Sequence, residues 1–226
     1  MPSLRAINDK VVSCRRCPRL VEYTRQVGQV KVKRHASEQY WARPLPSFGD
    51  PAARLLIVGL APAAHGGNRT GRMFTGDSSG DWVAKALCET GFANIPTSRS
   101  SDDGFALRDA YITAAVRCAP PANKPLPSEI AACSDYLAAE LDLLQHVRVI
   151  VALGRIAFDA YCKVAGLRGL RFSHASEFAL SESDRNGRRQ VLISSYHPSR
   201  QNTNTGRLTW PMWVRIFQSA RRIIEA

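Results

Sequence analysis

Two sets of residues in this sequence could do chemistry. The first lies between Gly59 and Trp82, where His65, Asn68, Arg69, Arg72, Phe74, Thr75, Asp77 and Asp81 are spread among five further glycines. A carboxylate can orient water or take a proton, and an imidazole can donate to a developing anion. Glycine lets the backbone approach a ligand closely. The stretch matches neither GxGxxG nor GxxxxGK(S/T), so no nucleotide cofactor is expected. The second set is the cysteines. Cys14 and Cys17 form a CxxC, and Cys118 and Cys133 form a much wider pair far down the chain. Four thiolates so placed can close a site around zinc or an iron–sulfur cluster. Zinc ligands usually come as two close pairs, so the wide second pair favours a [4Fe–4S] cluster, with zinc as the alternative. Arg15, Arg16, Arg19 and Arg117 flank these positions and would offset thiolate charge. A thioredoxin-like redox pair would need a strand before the CxxC, and none precedes Cys14. Cys88 and Cys162 sit in apolar helical patterns and read as plain buried residues.

The elements that must position these residues can be read in order. Residues 1–25 are helical, interrupted near Cys14–Pro18. Residues 26–50 are polar and irregular. The apolar run 53–58 predicts a strand, followed by the glycine-rich loop 59–82 and a helix over about 80–90. Residues 94–104 are rich in Ser and Asp and predict a linker. Tyr111–Val116 predicts the next strand, and the proline-rich run 119–127 excludes helix and central strand. Ser128 is expected to cap a helix to about 146. Val147–Leu153 predicts a strand and Gly154 a helix start. A hairpin is expected within 167–190, a strand over 191–194, and a last helix capped by Thr209 with Pro211 in its first turn. Alternating strands and helices predict an α/β/α sandwich, a mainly parallel central sheet with helices on both faces. Such sheets carry their sites at the carboxyl ends of the strands. The loops 59–82, 117–127 and 195–207 should therefore converge.

The chain has 226 residues, enough for one sizeable α/β domain spanning 1–226, with residues 1–50 supplying cluster ligands and an irregular excursion. Its net charge of +12 points to a polyanionic partner, most simply nucleic acid. No apolar run approaches the roughly 18 residues of a membrane span, and no basic segment leads into an apolar signal core. A cytoplasmic monomer is expected.

Three segments carry a resemblance to a known family. They are GLAPAAHGGNRTGRMFTGD from Gly59, YITAAVRCAPPANKPLP from Tyr111, and HPSRQNTNTGRLT from His197. Together with the order of the four cysteines, they resemble the uracil-DNA glycosylase superfamily, and most closely its iron–sulfur, B-type branch (family 5). The resemblance implies a monofunctional enzyme that excises uracil and other deaminated bases, hypoxanthine and modified pyrimidines among them. Its substrate would be double-stranded DNA, and single-stranded DNA as well. The matching cysteines Cys14, Cys17, Cys118 and Cys133 would be the cluster ligands. The chain departs from the wider superfamily where many relatives carry a water-positioning carboxylate, because here Leu60 and Ala61 stand there. Where relatives place an Asn to read the uracil edge, the aligned residue is Ala114.

Within that resemblance, Phe74 would stack on the flipped base. His197 would donate to the pyrimidine oxygen as negative charge develops, helped by the N–H groups of Ala63 and Ala64. Asp77 would stabilise the sugar cation or orient water, with Asp81 the weaker choice because it suits the following helix. Asn123 would contact the base or the water; its competing role is that of an ordinary turn residue. Ser199 and Arg200 would grip the duplex. With no Lys placed for a Schiff base, hydrolysis to an abasic site is expected. The competing classes are a non-catalytic iron–sulfur nucleic-acid-binding module, favoured by Leu60–Ala61, and a metal-dependent nuclease, which would need more clustered carboxylates.

Overall fold

Strands made of uninterrupted apolar runs must be covered on both faces, and this dictates the architecture. The computed structural model describes residues 3–183, 187 and 189–226. Its six strands are β1 (Phe48–Gly49), β2 (Leu55–Gly59), β3 (Ala110–Ala114), β4 (Val149–Leu153), β5 (Ser176–Ser183) and β6 (Arg189–Ser195). They form one sheet in the order β1-β3-β2-β4-β6-β5. The four inner strands are parallel and the two edge strands antiparallel.

The pleat sends alternate residues to opposite faces. Leu55, Ile57, Ile112, Val149 and Val151 pack under α4 (Ser78–Glu89) and α8 (Trp210–Glu225). Leu56, Val58, Ile150, Ala152 and Leu192 pack under α5 (Pro127–Leu143) and α6 (Arg155–Val164). Ahead of these, α1 (Leu4–Val12) lays Ile7 and Val11 against Tyr136 of α5. The second helix, α2 (Pro18–Val30), follows the CxxC. The mainly parallel sandwich read from the pattern is the fold.

The departures are local. Helix α2 runs to Val30, taking residues assigned to the irregular excursion; its Gly28 lies where a Cβ would fall 2.6 Å from that of Ala42. The helix after the glycine-rich loop starts at Ser78, because Asp77 supplies its N-cap. Within the loop, Gly67–Thr70 form a short helix, α3. Ser128 is not a cap. Leu126 holds that position, and Glu129 folds back so that its carboxylate accepts the Leu126 N–H at 2.7 Å. The hairpin is β5–β6, and residues 184–186 and 188 of its connection lie outside the described residues. The stretch after His197 is not all loop, since Arg200–Asn204 form a short helix, α7.

One buried ion pair ties α5 to the sheet. Glu140 is fully buried, meets Arg117 at 2.6 Å and accepts the Thr113 hydroxyl at 2.5 Å. Arg117 also donates to Ser47, ahead of β1. Removing one partner of such a pair strands a buried charge, at a cost of about 3–5 kcal/mol. Glu140→Ala is therefore expected to lower the thermal midpoint sharply, and the apolar double substitution Arg117→Met/Glu140→Leu to recover most of the loss. A double variant less stable than Glu140→Ala would contradict this account.

Candidate active site

The carboxyl ends of β2, β4 and β6 meet at one edge. The loop leaving β2 returns across its own strand. A Cβ at Gly59 would lie 2.9 Å from Cζ of Phe74, so the glycine makes room for that ring. Phe74 holds a left-handed backbone, φ 50°, uncommon for a bulky residue. Its carbonyl lies against Gly80, where a side chain would collide with it. A strained conformation so braced is typical of ligand-facing residues.

His197 follows β6 and meets Phe74, with ring centroids 6.0 Å apart and planes tilted by 32°. Its carbonyl accepts the Ser199 N–H and the Asn202 side-chain amide, each at 2.8 Å, which fixes the backbone. Gly154, just after β4, packs beside its Cβ and takes a left-handed backbone, φ 88°. The imidazole makes no hydrogen bond among the described residues, and burial pushes its pKa down to about 4. At neutral pH it is an uncharged ring with a free N–H donor.

Asp77 is the N-cap of α4, and one of its oxygens accepts the Gly80 N–H at 2.9 Å. The other lies against Gly66, where a Cβ would land on the carboxylate. Burial raises its pKa, opposed by the Gly80 and Ser79 N–H groups; the nearby Asp81 charge raises it further. A capping role for Asp77 was not foreseen. Its signal was present in the sequence, as Asp immediately ahead of Ser-Ser-Gly and an apolar helical run.

The loops from β2 and β6 also touch at their outer ends, where Arg200 Nε donates to the Ser78 hydroxyl at 3.2 Å. Ser199 caps α7, its hydroxyl accepting the Asn202 N–H. The carbonyl of Ala63 accepts from Gly66 and Asn68, while its own N–H and that of Ala64 have no acceptor among the described residues. Asn123 ends a short 3₁₀ turn, Pro121–Asn123. It is exposed, follows Ala122 in a second left-handed conformation, and its side chain has no hydrogen bond among the described residues.

Several polar residues of the loop are braces. Arg72 donates to Thr75 at 3.0 Å, Ser98 at 2.9 Å and Asp103 at 2.7 Å, fastening the glycine-rich loop to the Ser- and Asp-rich segment. Asn68 is fully buried and donates to the Thr24 carbonyl at 3.2 Å.

The four cysteines singled out by spacing gather beneath this site. Cys118 and Cys133 are buried with Leu20 and Val116, and Cys17 packs against them. Cys14 packs beside Tyr136. Burial pushes the thiols of Cys17, Cys118 and Cys133 up, and the neighbouring thiols push them further. No group of three or more His, Cys, Asp or Glu among the described residues is disposed around a single ion. The arginines offset less charge than expected. Arg16 pairs with Asp135, Arg19 with Glu129 and Arg117 with Glu140, although Arg117 still favours the Cys133 thiolate through its charge and backbone N–H. Ala61 packs against this same group. A carboxylate there would face the thiols of Cys17, Cys118 and Cys133, which gives a physical reason for its absence.

No helix among the described residues is long and apolar enough to cross a membrane. Residues 46–221 match the model of the uracil DNA glycosylase superfamily. The chain is 50% identical to a type-5 uracil-DNA glycosylase of Thermus thermophilus, covering 94% of each chain. It is 45% identical to a type-5 enzyme of Mycobacterium leprae over 98% of this chain and 96% of that one. A type-5 enzyme of Pyrobaculum aerophilum is 47% identical, over 94% and 89%. With its three motifs on the loops of one sheet edge and its match running through nearly the whole chain, this protein belongs to the uracil DNA glycosylase superfamily and, within it, to the type-5 uracil-DNA glycosylases.

Proposed function

We propose that this protein excises uracil and other deaminated bases from DNA by hydrolysis of the N-glycosyl bond, leaving an abasic site. The observation that carries the mechanism is a neutral imidazole with an unused N–H, held beside a strained phenylalanine at the edge where three strands end. The extruded base stacks on Phe74. As the glycosyl bond breaks, its electron pair passes to the base. His197 donates a hydrogen bond to the oxygen where that charge collects, and the free N–H groups of Ala63 and Ala64 assist. Asp77 faces the sugar, stabilises its cationic character and takes the proton of the water that adds to the sugar carbon. Its raised pKa suits a proton acceptor. Asn123 contacts the base or the water once DNA is bound, and Ser199 and Arg200 grip the duplex.

Cys14, Cys17, Cys118 and Cys133 would hold a [4Fe–4S] cluster. Four thiols, two of them buried in an apolar setting, are the donor set such a group takes, with zinc as the alternative. Ligation by these four would tie the N-terminal helices to the segment after β3 and to α5. The protein acts as a monomer of one domain, on duplex and single strands alike.

The test is incubation with uracil- and hypoxanthine-containing duplexes, then alkali to cleave at abasic sites. Asp77→Asn keeps a good helix cap but removes the charge, so excision should slow by about 10²-fold or more while binding to abasic DNA is retained. Wild-type excision by the variant would remove Asp77 from the mechanism. An inert wild type that still binds DNA would favour the non-catalytic module.

A further inference from the structure

The excursion between α2 and β1 is fastened onto the loop that carries the site. The N–H groups of Trp41 and Ala42 donate to the carbonyls of Arg69 and Asn68, at 2.9 and 3.0 Å. Arg69 pairs with Glu38 and donates to the Gly76 carbonyl at 3.0 Å, next to Asp77. Glu38 also takes His35 at 2.5 Å. The local carboxylate is thereby used up. Lys33 and Arg34, exposed on a short 3₁₀ turn, form no ion pair among the described residues.

Beside them lies His65, which belongs to the glycine-rich loop but has no place in the mechanism above. Its Nδ1 meets the Tyr40 hydroxyl at 3.1 Å, and its carbonyl accepts Arg69 Nε at 2.9 Å. With the phenol as donor to Nδ1, the His65 proton is assigned to Nε2. Burial, followed by the charges of Arg34, His35 and Arg69, holds the ring neutral. Two cations unpaired among the described residues stand on a segment fastened to the base-excising loop, beside a neutral donor on the loop itself.

We propose that Lys33, Arg34 and the Nε2–H of His65 form a clamp for backbone phosphates of the DNA strand whose base is extruded. The inference rests on the glycosylase reading. Backbone phosphates fix register without reading sequence, and each one neutralised by a cation contributes about −0.9 to the slope of log K against log salt. A hydrogen bond from a neutral ring contributes affinity without slope.

The experiment is fluorescence anisotropy of the full chain on a uracil-containing duplex and its uracil-free counterpart, across a KCl series. Lys33→Ala/Arg34→Ala should flatten the slope by about 1.8, two phosphate contacts at 0.9 each. His65→Gln should weaken binding about tenfold with the slope unchanged. The comparison variant is Lys163→Ala/Arg168→Ala. Helix α6 starts at the site edge of β4 and runs back to the far edge, placing these two exposed cations away from DNA; their removal should leave the slope as it was. A Lys33→Ala/Arg34→Ala slope equal to wild type overturns the clamp, as does an equal flattening in the comparison variant. If the slope is unchanged while wild type still excises uracil, the clamp alone is wrong. If wild type excises nothing, the reading beneath it is wrong.

Discussion

His197→Ala slows single-turnover excision of uracil by about 10²–10³, the scale of losing one preorganised donor to a developing oxyanion. The effect is large because the site keeps this donor unspent. The ring has no hydrogen bond among the described residues, its carbonyl is pinned from two sides, and burial keeps it neutral down to about pH 4. A neutral donor also predicts the pH profile. Titration of His197 should leave the rate flat from pH 8 to pH 5, whereas a protonated imidazole would lose activity as pH rose through about 6.5. Any acid limb should follow Asp77, whose raised pKa places it above an exposed aspartate. The same shift affects stability. The unfolded chain takes up a proton on His197 near pH 6.5 and the folded chain only near 4, so this residue destabilises the fold progressively as pH falls through that window. The site assignment fails if His197→Ala excises at the wild-type rate, or if the rate collapses between pH 6 and 8 in step with an imidazolium.

The second large effect is at the cysteines. Purified protein should be brown and contain about four irons per chain. Cys118→Ser should lose the colour, the iron and most of the soluble yield. Cys118 is buried among Leu20, Val116 and Cys133, so a serine there replaces a ligand with a hydroxyl that has no partner in an apolar setting. Cys162→Ser, in the α6 packing and outside the four-cysteine group, should keep its iron. Colourless protein with one zinc per chain would assign the site to zinc. A Cys118→Ser protein that kept full iron would remove Cys118 from the ligand set.

Much of this molecule was legible before any coordinates. Uninterrupted apolar runs such as Leu55–Val58 and Val149–Leu153 can be satisfied only between two layers of helices, so they determined the parallel sandwich. Proline and glycine placed the breaks, at the run after Ala119 and at Gly154, because their backbone limits act locally. The cysteine order and the three motifs marked the family.

What sequence could not resolve was the division of labour among similar residues. Arg69, Arg72 and Arg117 look alike along the chain, yet all three are consumed in ion pairs with Glu38, Asp103 and Glu140, each many residues away. Lys33 and Arg34 have no such partners among the described residues. Asp77 and Asp81 both suited the start of α4, and the carbonyl of Phe74 packed on Gly80 and the close approach of Gly66 decided which carboxylate lies at the loop. Asn123, placed by motif beside the site, is exposed, with a left-handed backbone that sequence did not signal. Periodicity and turn chemistry are properties of neighbours in the chain, so the sequence by itself determined the elements, their order and the site-bearing edge. Charge pairing, desolvation and close approach are properties of neighbours in space, so only the tertiary structure decided which donor stays free, which carboxylate is raised and which cations are consumed in ion pairs.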